Sequence, residues 1–218
     1  MIISSAILKK NAFNLYFEMN NGIDCKNTDF KKDNKFLEDY WLRYKKILFN
    51  SRDDQSLLKL RDIILQINKD QGKLIFIGNG ASASLCSHAA TDFTKQAKIP
   101  SIAFNDHNLI TALSNDYGYD QWVCKALEYY SMQNDMVIFI SVSGESPNLI
   151  NGINYTKIKG LKTGSLTGSK KNNTLKSCSD NFLWVNSNAY NIVESIHTIW
   201  LTLIIDLVVG KASYKVNN

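Results

Sequence analysis

Serine residues are concentrated in one short stretch of the chain, SVSGESPN at 141–148. Ser141, Ser143 and Ser146 supply three hydroxyl groups, and the glycine between them permits a tight turn. Proline is favoured as the first residue of a helix, so the stretch predicts a helix that begins at Pro147 with Ser146 as its N-cap. Backbone N–H groups at a helix start, together with three hydroxyls, suit a phosphate. The alternative is a serine-rich turn that only caps the helix.

A second stretch of small residues, GNGAS at 78–82, follows the apolar run KLIFI. It lacks the third glycine of the dinucleotide-binding fingerprint and the Gly-Lys-Ser/Thr of a P-loop, so we expect no nucleotide cofactor. Its glycines would instead let a sugar or a phosphate approach the backbone, and Asn79 and Ser82 offer polar contacts. The alternative is an ordinary turn between a strand and a helix.

Two residues with chemically active side chains, His88 and Asp92, lie in the segment that follows GNGAS. They are four residues apart within a predicted helix at 83–97, so they share one helical face and can share a ligand or a metal ion. An ordinary hydrogen bond between the two side chains is the other interpretation of this spacing.

The elements that must position these residues alternate between strand and helix. Short apolar runs predict strands at 73–77, 101–104, 136–141, 161–166 and 181–185. Helical segments are predicted at 83–97, 119–131, 147–159 and about 190–209. The runs are apolar throughout, as expected for strands covered by helices on both faces. The pattern predicts an α/β fold with a doubly wound, five-stranded parallel sheet of order 2-1-3-4-5, in which the two loops converge on one crevice.

Two helical patterns, at 36–49 and 54–69, precede the first predicted strand. The residues before them are rich in Asn, Lys and Asp and resemble a solvated connector. We therefore predict an N-terminal adjunct at 1–35, a single domain at 36–212 that includes both helices, and a tail at 213–218. The two helices and the last one carry more apolar surface than one small domain would cover, which predicts an oligomer.

Composition excludes several classes of protein. Apolar residues make up 44% of the chain, enough for a substantial core, and the net charge of +5 is spread without a basic stripe, so we expect no nucleic-acid partner. The four cysteines show no CxxC spacing, and the N-terminus does not have the order of a secretory signal. The apolar segment IWLTLIIDLVVG is shorter than a membrane span and contains Asp206. A cytoplasmic protein with unpaired thiols and no membrane partner is expected.

The combination of GNGAS, a Ser-His pair after it and SVSGESPN further along resembles the sugar-isomerase (SIS) domain. More narrowly, it is similar to the phosphoheptose isomerases, also called sedoheptulose 7-phosphate isomerases. The similarity runs from about Leu57 to Val209 and includes NDYG at 115–118, LTGS at 166–169 and VESIH at 193–197. The resemblance implies conversion of sedoheptulose 7-phosphate to D-glycero-D-manno-heptose 7-phosphate through an enediol, for lipopolysaccharide or capsule.

The resemblance also implies which residues bind the substrate, with the serine loop on the phosphate and the other residues on the sugar. These residues are Asn79, Gly80, Ser82, Asn115, Asp116, Ser141, Ser143 and Ser146. For the NDYG motif, the alternative is a turn in which Asn and Gly tolerate left-handed geometry.

We call the part of the site where the sugar carbons react the reacting end. There the resemblance implies a zinc site in which His88, Asp92 and Glu194 are the catalytic and metal-binding residues. The family has a glutamate, which also serves as the base, where this chain has Asp92, and a glutamine where it has Glu194. Asp92 is one methylene shorter, and a displacement of about an ångström can cost about a hundredfold in rate. The family's second catalytic, metal-binding histidine is replaced by Thr202, a poor zinc ligand that cannot act as a general acid near neutral pH.

The two other histidines do not obviously replace the missing one. His197 matches a neighbouring histidine of the family. His107 either approaches from another loop or subunit or begins a helix near the crevice. The loss of the second histidine is the feature that most favours a non-catalytic SIS protein that binds a sugar phosphate or assists assembly. A metal-independent isomerase of another phosphosugar, with Glu194 as the base, is a third hypothesis. The resemblance further implies a homotetramer with sites at subunit interfaces.

Overall fold

The structure is a computed structural model that describes residues 30–213. The adjunct predicted at 1–35 therefore falls outside the described residues up to residue 29, and the tail does so from residue 214. The chain divides into two units between Lys45 and Lys46, so the helix α1 (Phe30–Lys45) is separated from the unit that carries the sheet. The sequence analysis predicted a domain that begins at residue 36. Along α1 the rings of Phe36, Tyr40 and Tyr44 lie in consecutive contact, 5.8 and 5.4 Å between centroids.

The second unit alternates between strands and helices as predicted. It opens with a π-helical turn, Lys46–Asn50, followed by α2 (Asp54–Lys69). The strands are β1 (Leu74–Gly78), β2 (Ser101–Ala103), β3 (Met136–Ser141), β4 (Lys162–Thr167) and β5 (Asn181–Trp184). The later helices are α3 (Ala81–Lys95), α4 (His107–Tyr117), α5 (Trp122–Tyr130), α6 (Pro147–Lys159), α7 (Thr174–Cys178) and α8 (Tyr190–Val209).

The strands form a parallel sheet in the order β2-β1-β3-β4-β5, which confirms the predicted fold class. On one face, Ile75, Val137 and Phe139 join a buried cluster with residues of α5, α6 and α7. On the other face, Phe76 of β1 stacks on Phe93 of α3 with ring centroids 5.6 Å apart, and α8 contacts α2, α3 and β4. Both faces of the sheet are covered by helices, which explains why β1 and β3 are buried along their whole length.

The helix α4 was not among the predicted segments, although a helix start at His107 was one of the interpretations and is confirmed. Asp106 caps α4 because its Oδ1 accepts a hydrogen bond from Leu109 N at 3.0 Å. That bond also holds the pKa of the Asp106 carboxyl below its usual value. NDYG forms the end of this helix, and Gly118 adopts the positive φ of 87° that ends it.

The last helix, α8, is long and apolar enough to cross a membrane by length and composition, which the shorter segment considered in the sequence was not. In this fold it packs against α2, α3 and β4, and eight of its residues are buried. Core helices of globular domains commonly have this composition because they are apolar around most of their circumference.

Candidate active site

Both predicted loops lie at the carboxyl edge of the sheet, where β1 and β3 are neighbours and Gly78 pairs with Ile140. The side chains of Asn79, after β1, and Asn148, at the start of α6, form two reciprocal amide hydrogen bonds of 3.0 Å each. The predicted convergence of the two loops on one crevice is therefore confirmed.

The two glycines of GNGAS, Gly78 and Gly80, have different structural roles. A Cβ atom on Gly78 would lie 2.9 Å from Ile140 O and from the backbone of Ser82, so this glycine lets the chain's own backbone close up. Gly80 has φ 58°, and no other group of the described chain lies within 4 Å of where its Cβ would be. Gly80 therefore leaves free space at the crevice, as a bound ligand requires, whereas Ser82 beside it is buried.

The side chain of Asn79 is already engaged within the protein. Its amide is paired with Asn148, which is only 1% exposed, and Tyr119 OH donates to Asn79 Oδ1 at 3.4 Å. These bonds make Asn79 a link between the loops, and its predicted contact with the substrate stays a prediction. Tyr119 was not identified from the sequence, where only its position just after NDYG could have indicated it.

The serine loop is shaped by its own hydroxyl groups. Ser141 Oγ accepts the N–H of Gly144 at 3.1 Å, Ser143 Oγ accepts the next N–H at 3.2 Å, and the two oxygens are 3.5 Å apart. Ser146 occupies the N-cap position before Pro147, as predicted, but within residues 30–213 its side chain makes no capping hydrogen bond. The N–H groups of Leu149 and Ile150 donate to Ser146 O at 3.0 Å each, so the Ser146 hydroxyl is the group of this helix start that is left for an anion.

A buried asparagine after β4, Asn173, supports this loop and was missed by the sequence analysis. Its Nδ2 donates to Thr167 Oγ1 at 3.1 Å and to Lys170 O at 2.9 Å, and its Oδ1 caps α7 by accepting Lys176 N at 3.0 Å. A side chain on Gly144, which has φ 67°, would collide with Asn173 Oδ1. The turn of the serine loop therefore requires glycine both for its backbone angle and for its packing.

The residues predicted for catalysis lie on α3 and α8, two helices that contact one another. His88 Nε2 lies 3.0 Å from Asp92 Oδ2, so the predicted pair on one face of α3 is formed, with His88 the more exposed of the two. Glu194 is partly buried on α8. No group of three His, Cys, Asp or Glu side chains in the described part of the chain is arranged to hold a metal ion. His88, Asp92 and Glu194 therefore do not form such a group in this structure, and the zinc site implied for them stays a prediction.

Thr202, at the position of the family's second histidine, is exposed and bonded to its own helix. Its hydroxyl lies 3.1 Å from Thr198 O and 3.0 Å from Ile199 O. Such a bond to the carbonyl four residues earlier is a common arrangement for threonine within a helix. The Thr202 hydroxyl is thus directed to the backbone of α8 in this structure.

His197 is fully buried, with Nε2 3.2 Å from Thr167 O at the end of β4. Burial lowers the pKa of His197 to about 4, so the imidazole is neutral at pH 7 and Nε2 must be the donor to the carbonyl. Its Nδ1 has no hydrogen-bond partner among residues 30–213. His197 therefore supports the sheet edge and is not an acid or base of the crevice.

Asn115 and Asp116 lie exposed in the last turn of α4, where Asn115 Nδ2 donates to Asp116 Oδ1 at 2.9 Å. The connection that follows them reaches the crevice through Tyr119. Their predicted role in binding sugar hydroxyls stays a prediction.

Comparisons with known proteins agree with this geometry. The SIS domain family matches residues 40–168. A phosphoheptose isomerase of Helicobacter pylori (strain HPAG1) is 33% identical over 153 residues, which cover 67% of this chain and 79% of that protein. A second, from H. pylori (strain ATCC 700392 / 26695), is 29% identical over 191 residues, which cover 84% of this chain and 98% of that protein. The solved structure of a phosphoheptose isomerase from Francisella tularensis has a TM-score of 0.75 at 21% identity, and the match covers 85% of this chain and 100% of that one.

The solved structure supports the fold, and the sequence matches support kinship over most of the chain. The chain therefore belongs to the SIS domain family, in its phosphoheptose isomerase branch. The resemblance inferred from GNGAS and SVSGESPN is confirmed.

Proposed function

We propose that this chain is an aldose–ketose isomerase that interconverts sedoheptulose 7-phosphate and D-glycero-D-manno-heptose 7-phosphate. The observation that carries the proposal is the ordered serine loop, 141–148, joined to GNGAS by the Asn79–Asn148 bonds. It occurs in a chain whose relatives include phosphoheptose isomerases. The heptose product would serve lipopolysaccharide or capsule synthesis.

The serine loop binds the phosphate end of the substrate in this proposal. Ser141, Ser143 and Ser146 present hydroxyls at the start of α6, where the positive end of the helix dipole favours an anion. Binding energy from a remote phosphate is useful because it positions the reacting end of the sugar without taking part in the chemistry. The sugar would then extend toward the GNGAS loop, where Gly80 carries no side chain.

Isomerisation through an enediol requires a base that removes a proton from one carbon and a donor that returns it to the next. Asp92 and Glu194 are the carboxylates that α3 and α8 supply for this role. His88 holds Asp92 through the 3.0 Å contact and so fixes the direction of that carboxylate. His197, which is neutral and buried, and Thr202, which is bonded to its own helix, take no part.

The zinc ion implied by the family resemblance stays a prediction. The described His, Cys, Asp and Glu side chains of one chain do not form a group of three around a common point. The proposed mechanism therefore contains no step on a metal ion. Metal analysis of the purified protein, with and without a chelator, tests whether zinc binds and whether turnover depends on it.

The homotetramer is likewise part of the proposal. An apolar groove of about 500 Å³ lies between the π-helical turn, α2 and α8, and Phe49, Leu58, Ile199 and Leu203 line it with exposed side chains. Covering such a groove with another copy would remove apolar surface from water. Light scattering at micromolar concentration tests this, and a monomer would contradict it. A cytoplasmic location is consistent with Cys86, Cys124 and Cys178, the described cysteines, which are free thiols.

The direct test is to incubate the purified protein with sedoheptulose 7-phosphate, with and without added zinc, and to follow the aldose by NMR. We expect the aldose to accumulate toward equilibrium, and the Ser141→Ala, Ser143→Ala double variant to need much more substrate. A protein that binds the sugar phosphate but never forms the aldose would instead be the non-catalytic binding protein. The position of Thr202 is the observation that favours that second candidate.

A further inference from the structure

The serine loop contains a carboxylate, Glu145, between its second and third serines. In the structure this side chain is bonded to a residue on another connection of the chain. Glu145 Oε1 accepts the N–H of Thr174 at 2.9 Å, and Oε2 accepts the Thr174 hydroxyl at 2.8 Å. One threonine, the first residue of α7, thus engages both oxygens of the carboxylate.

Two neighbouring contacts join the same segments. Leu175 N donates to Gly144 O at 3.1 Å, and Gly144 lies directly against the buried Asn173. Three consecutive residues, 173–175, therefore hold the turn of the serine loop. This support is rigid because Asn173 is itself anchored to Thr167 at the end of β4.

The position of Glu145 also affects the serines. Its backbone N–H donates to Ser143 Oγ at 3.2 Å, so the orientation of Glu145 fixes one of the hydroxyls proposed to bind the phosphate. A free carboxylate in this loop would oppose an anionic ligand, because like charges close together repel in a partly desolvated site. The two bonds to Thr174 hold the Glu145 carboxylate at the start of α7.

We propose that Glu145 is a positioning residue of the phosphate site. Bonded to Thr174, it holds the serine loop in its binding conformation and keeps its own negative charge away from the substrate phosphate. The inference rests on the proposed function only in that the loop is taken to bind the phosphate of the substrate.

The test compares Glu145→Ala, Thr174→Val, the double variant and Glu145→Gln. Glu145→Ala loosens the loop and should raise KM and the calorimetric Kd for sedoheptulose 7-phosphate about tenfold, which corresponds to about 1.4 kcal/mol. Thr174→Val removes the hydroxyl bond but keeps the backbone N–H that Oε1 accepts, so it should weaken binding less than Glu145→Ala. Because Thr174 acts through Glu145, the double variant should bind as Glu145→Ala does. Glu145→Gln can keep both bonds and should bind within about threefold of the unmodified protein.

Several readouts separate positioning from a general structural effect. The inhibition constant for inorganic phosphate should rise in parallel with KM, while kcat at saturation and the melting temperature stay close to those of the unmodified protein. Glu128→Ala is the matched control, because Glu128 is an exposed carboxylate that is paired with Lys125 at 2.8 Å. It should leave KM unchanged.

Unchanged affinity in Glu145→Ala would overturn the proposal. So would a double variant that binds much more weakly than Glu145→Ala alone, because Thr174 would then not act through Glu145. If the unmodified protein binds sedoheptulose 7-phosphate without forming the aldose, the proposed function fails, and calorimetry on the same variants still decides the role of Glu145. If it binds neither the sugar phosphate nor inorganic phosphate, both proposals fail.

Discussion

The two ends of the crevice are built in different ways. At the phosphate end, the serine loop is ordered within one chain by its own hydroxyls, by Asn148 and by the segment 173–175. At the reacting end, the His88–Asp92 pair and Glu194 lie on α3 and α8, and the described residues form no three-donor group there. The difference shows that the serine loop is ordered by contacts within a turn, a helix start and one neighbouring segment, whereas His88, Asp92 and Glu194 depend on how two separate helices pack.

The same comparison holds for the histidines. His197 is buried and supports β4, whereas His88 is exposed and paired with a carboxylate. Burial keeps the first neutral at pH 7, whereas the second lies exposed beside Asp92. Variants that separate binding from turnover can test this division.

The largest effect is expected at the reacting end. Asp92→Asn and Glu194→Gln preserve side-chain size but remove a carboxylate base, so each should lower kcat about a hundredfold or more. Affinity for sedoheptulose 7-phosphate should stay within about threefold, because neither residue belongs to the serine loop. Steady-state kinetics and calorimetry on the same preparations measure both quantities. Wild-type rates in both variants would remove these carboxylates from the mechanism.

At the phosphate end, the double variant Ser141→Ala, Ser143→Ala should show the reverse pattern. Loss of two hydrogen bonds to an anion should weaken sugar-phosphate binding about a hundredfold, with a smaller change in kcat at saturation. Calorimetry measures the affinity. Ser131→Ala is a suitable control, because its hydroxyl bonds to Leu127 O at the end of α5. Unchanged affinity in the double variant would show that the ligand does not bind this loop.

A smaller effect, on stability, is expected from His197. Its pKa is lowered from 6.5 to about 4 on folding, so the unfolded chain takes up a proton below about pH 6.5 while the folded chain does not until near pH 4. The contribution to stability is therefore present above pH 6.5 and is lost as the pH falls toward 4. Between pH 7 and pH 5 this residue should lower the free energy of unfolding by about 2 kcal/mol.

Urea unfolding at both pH values measures this change, with His197→Gln for comparison. Glutamine can still donate to Thr167 O but does not titrate, so the variant should lose about 2 kcal/mol less than the unmodified protein over this interval. An identical pH dependence in the two proteins would contradict a buried, neutral His197.

The smallest effect is expected at Thr202. Because its hydroxyl is bonded to its own helix, Thr202→Ala should leave kcat and KM within about twofold of their original values. Thr202→His restores the residue type of the family, and a gain in kcat would show that the reacting end is a weakened form of the family site. A large loss of activity in Thr202→Ala would give this residue a role that its contacts do not indicate.

Much of the fold was predictable because short sequence patterns determine its strands and helices. Each predicted strand agrees with the observed one to within one residue at either end, and the helix at 147–159 agrees at both ends. The serine loop was predictable for the same reason, since glycine, proline and a cap residue act over a few positions. The partners Asn173 and Thr174 were not, because β4 lies between them and the loop in sequence and only tertiary packing joins them.

At the reacting end, residue spacing predicted a contact within one helix but not the distance between residues of different helices. The i, i+4 pair of His88 and Asp92 is formed as predicted, because one helix fixes it. Bringing Glu194 to that pair requires the docking of α8, and neither spacing nor motif fixes how closely two side chains on different helices approach. The bond from Asn79 to Asn148 could not be predicted for a similar reason, since Asn148 follows a different strand.

We propose that this crevice binds a sugar phosphate and catalyses proton transfer between two of its carbons. The most direct measurement incubates the unmodified protein with sedoheptulose 7-phosphate in D₂O, after calorimetry on the same sample, and follows the carbon-bound protons by NMR. We predict binding together with appearance of the aldose and exchange of protons at the reacting carbons, all absent in Asp92→Asn except the binding. Saturated binding with neither aldose nor exchange in the unmodified protein would contradict the account and identify a sugar-phosphate-binding protein instead.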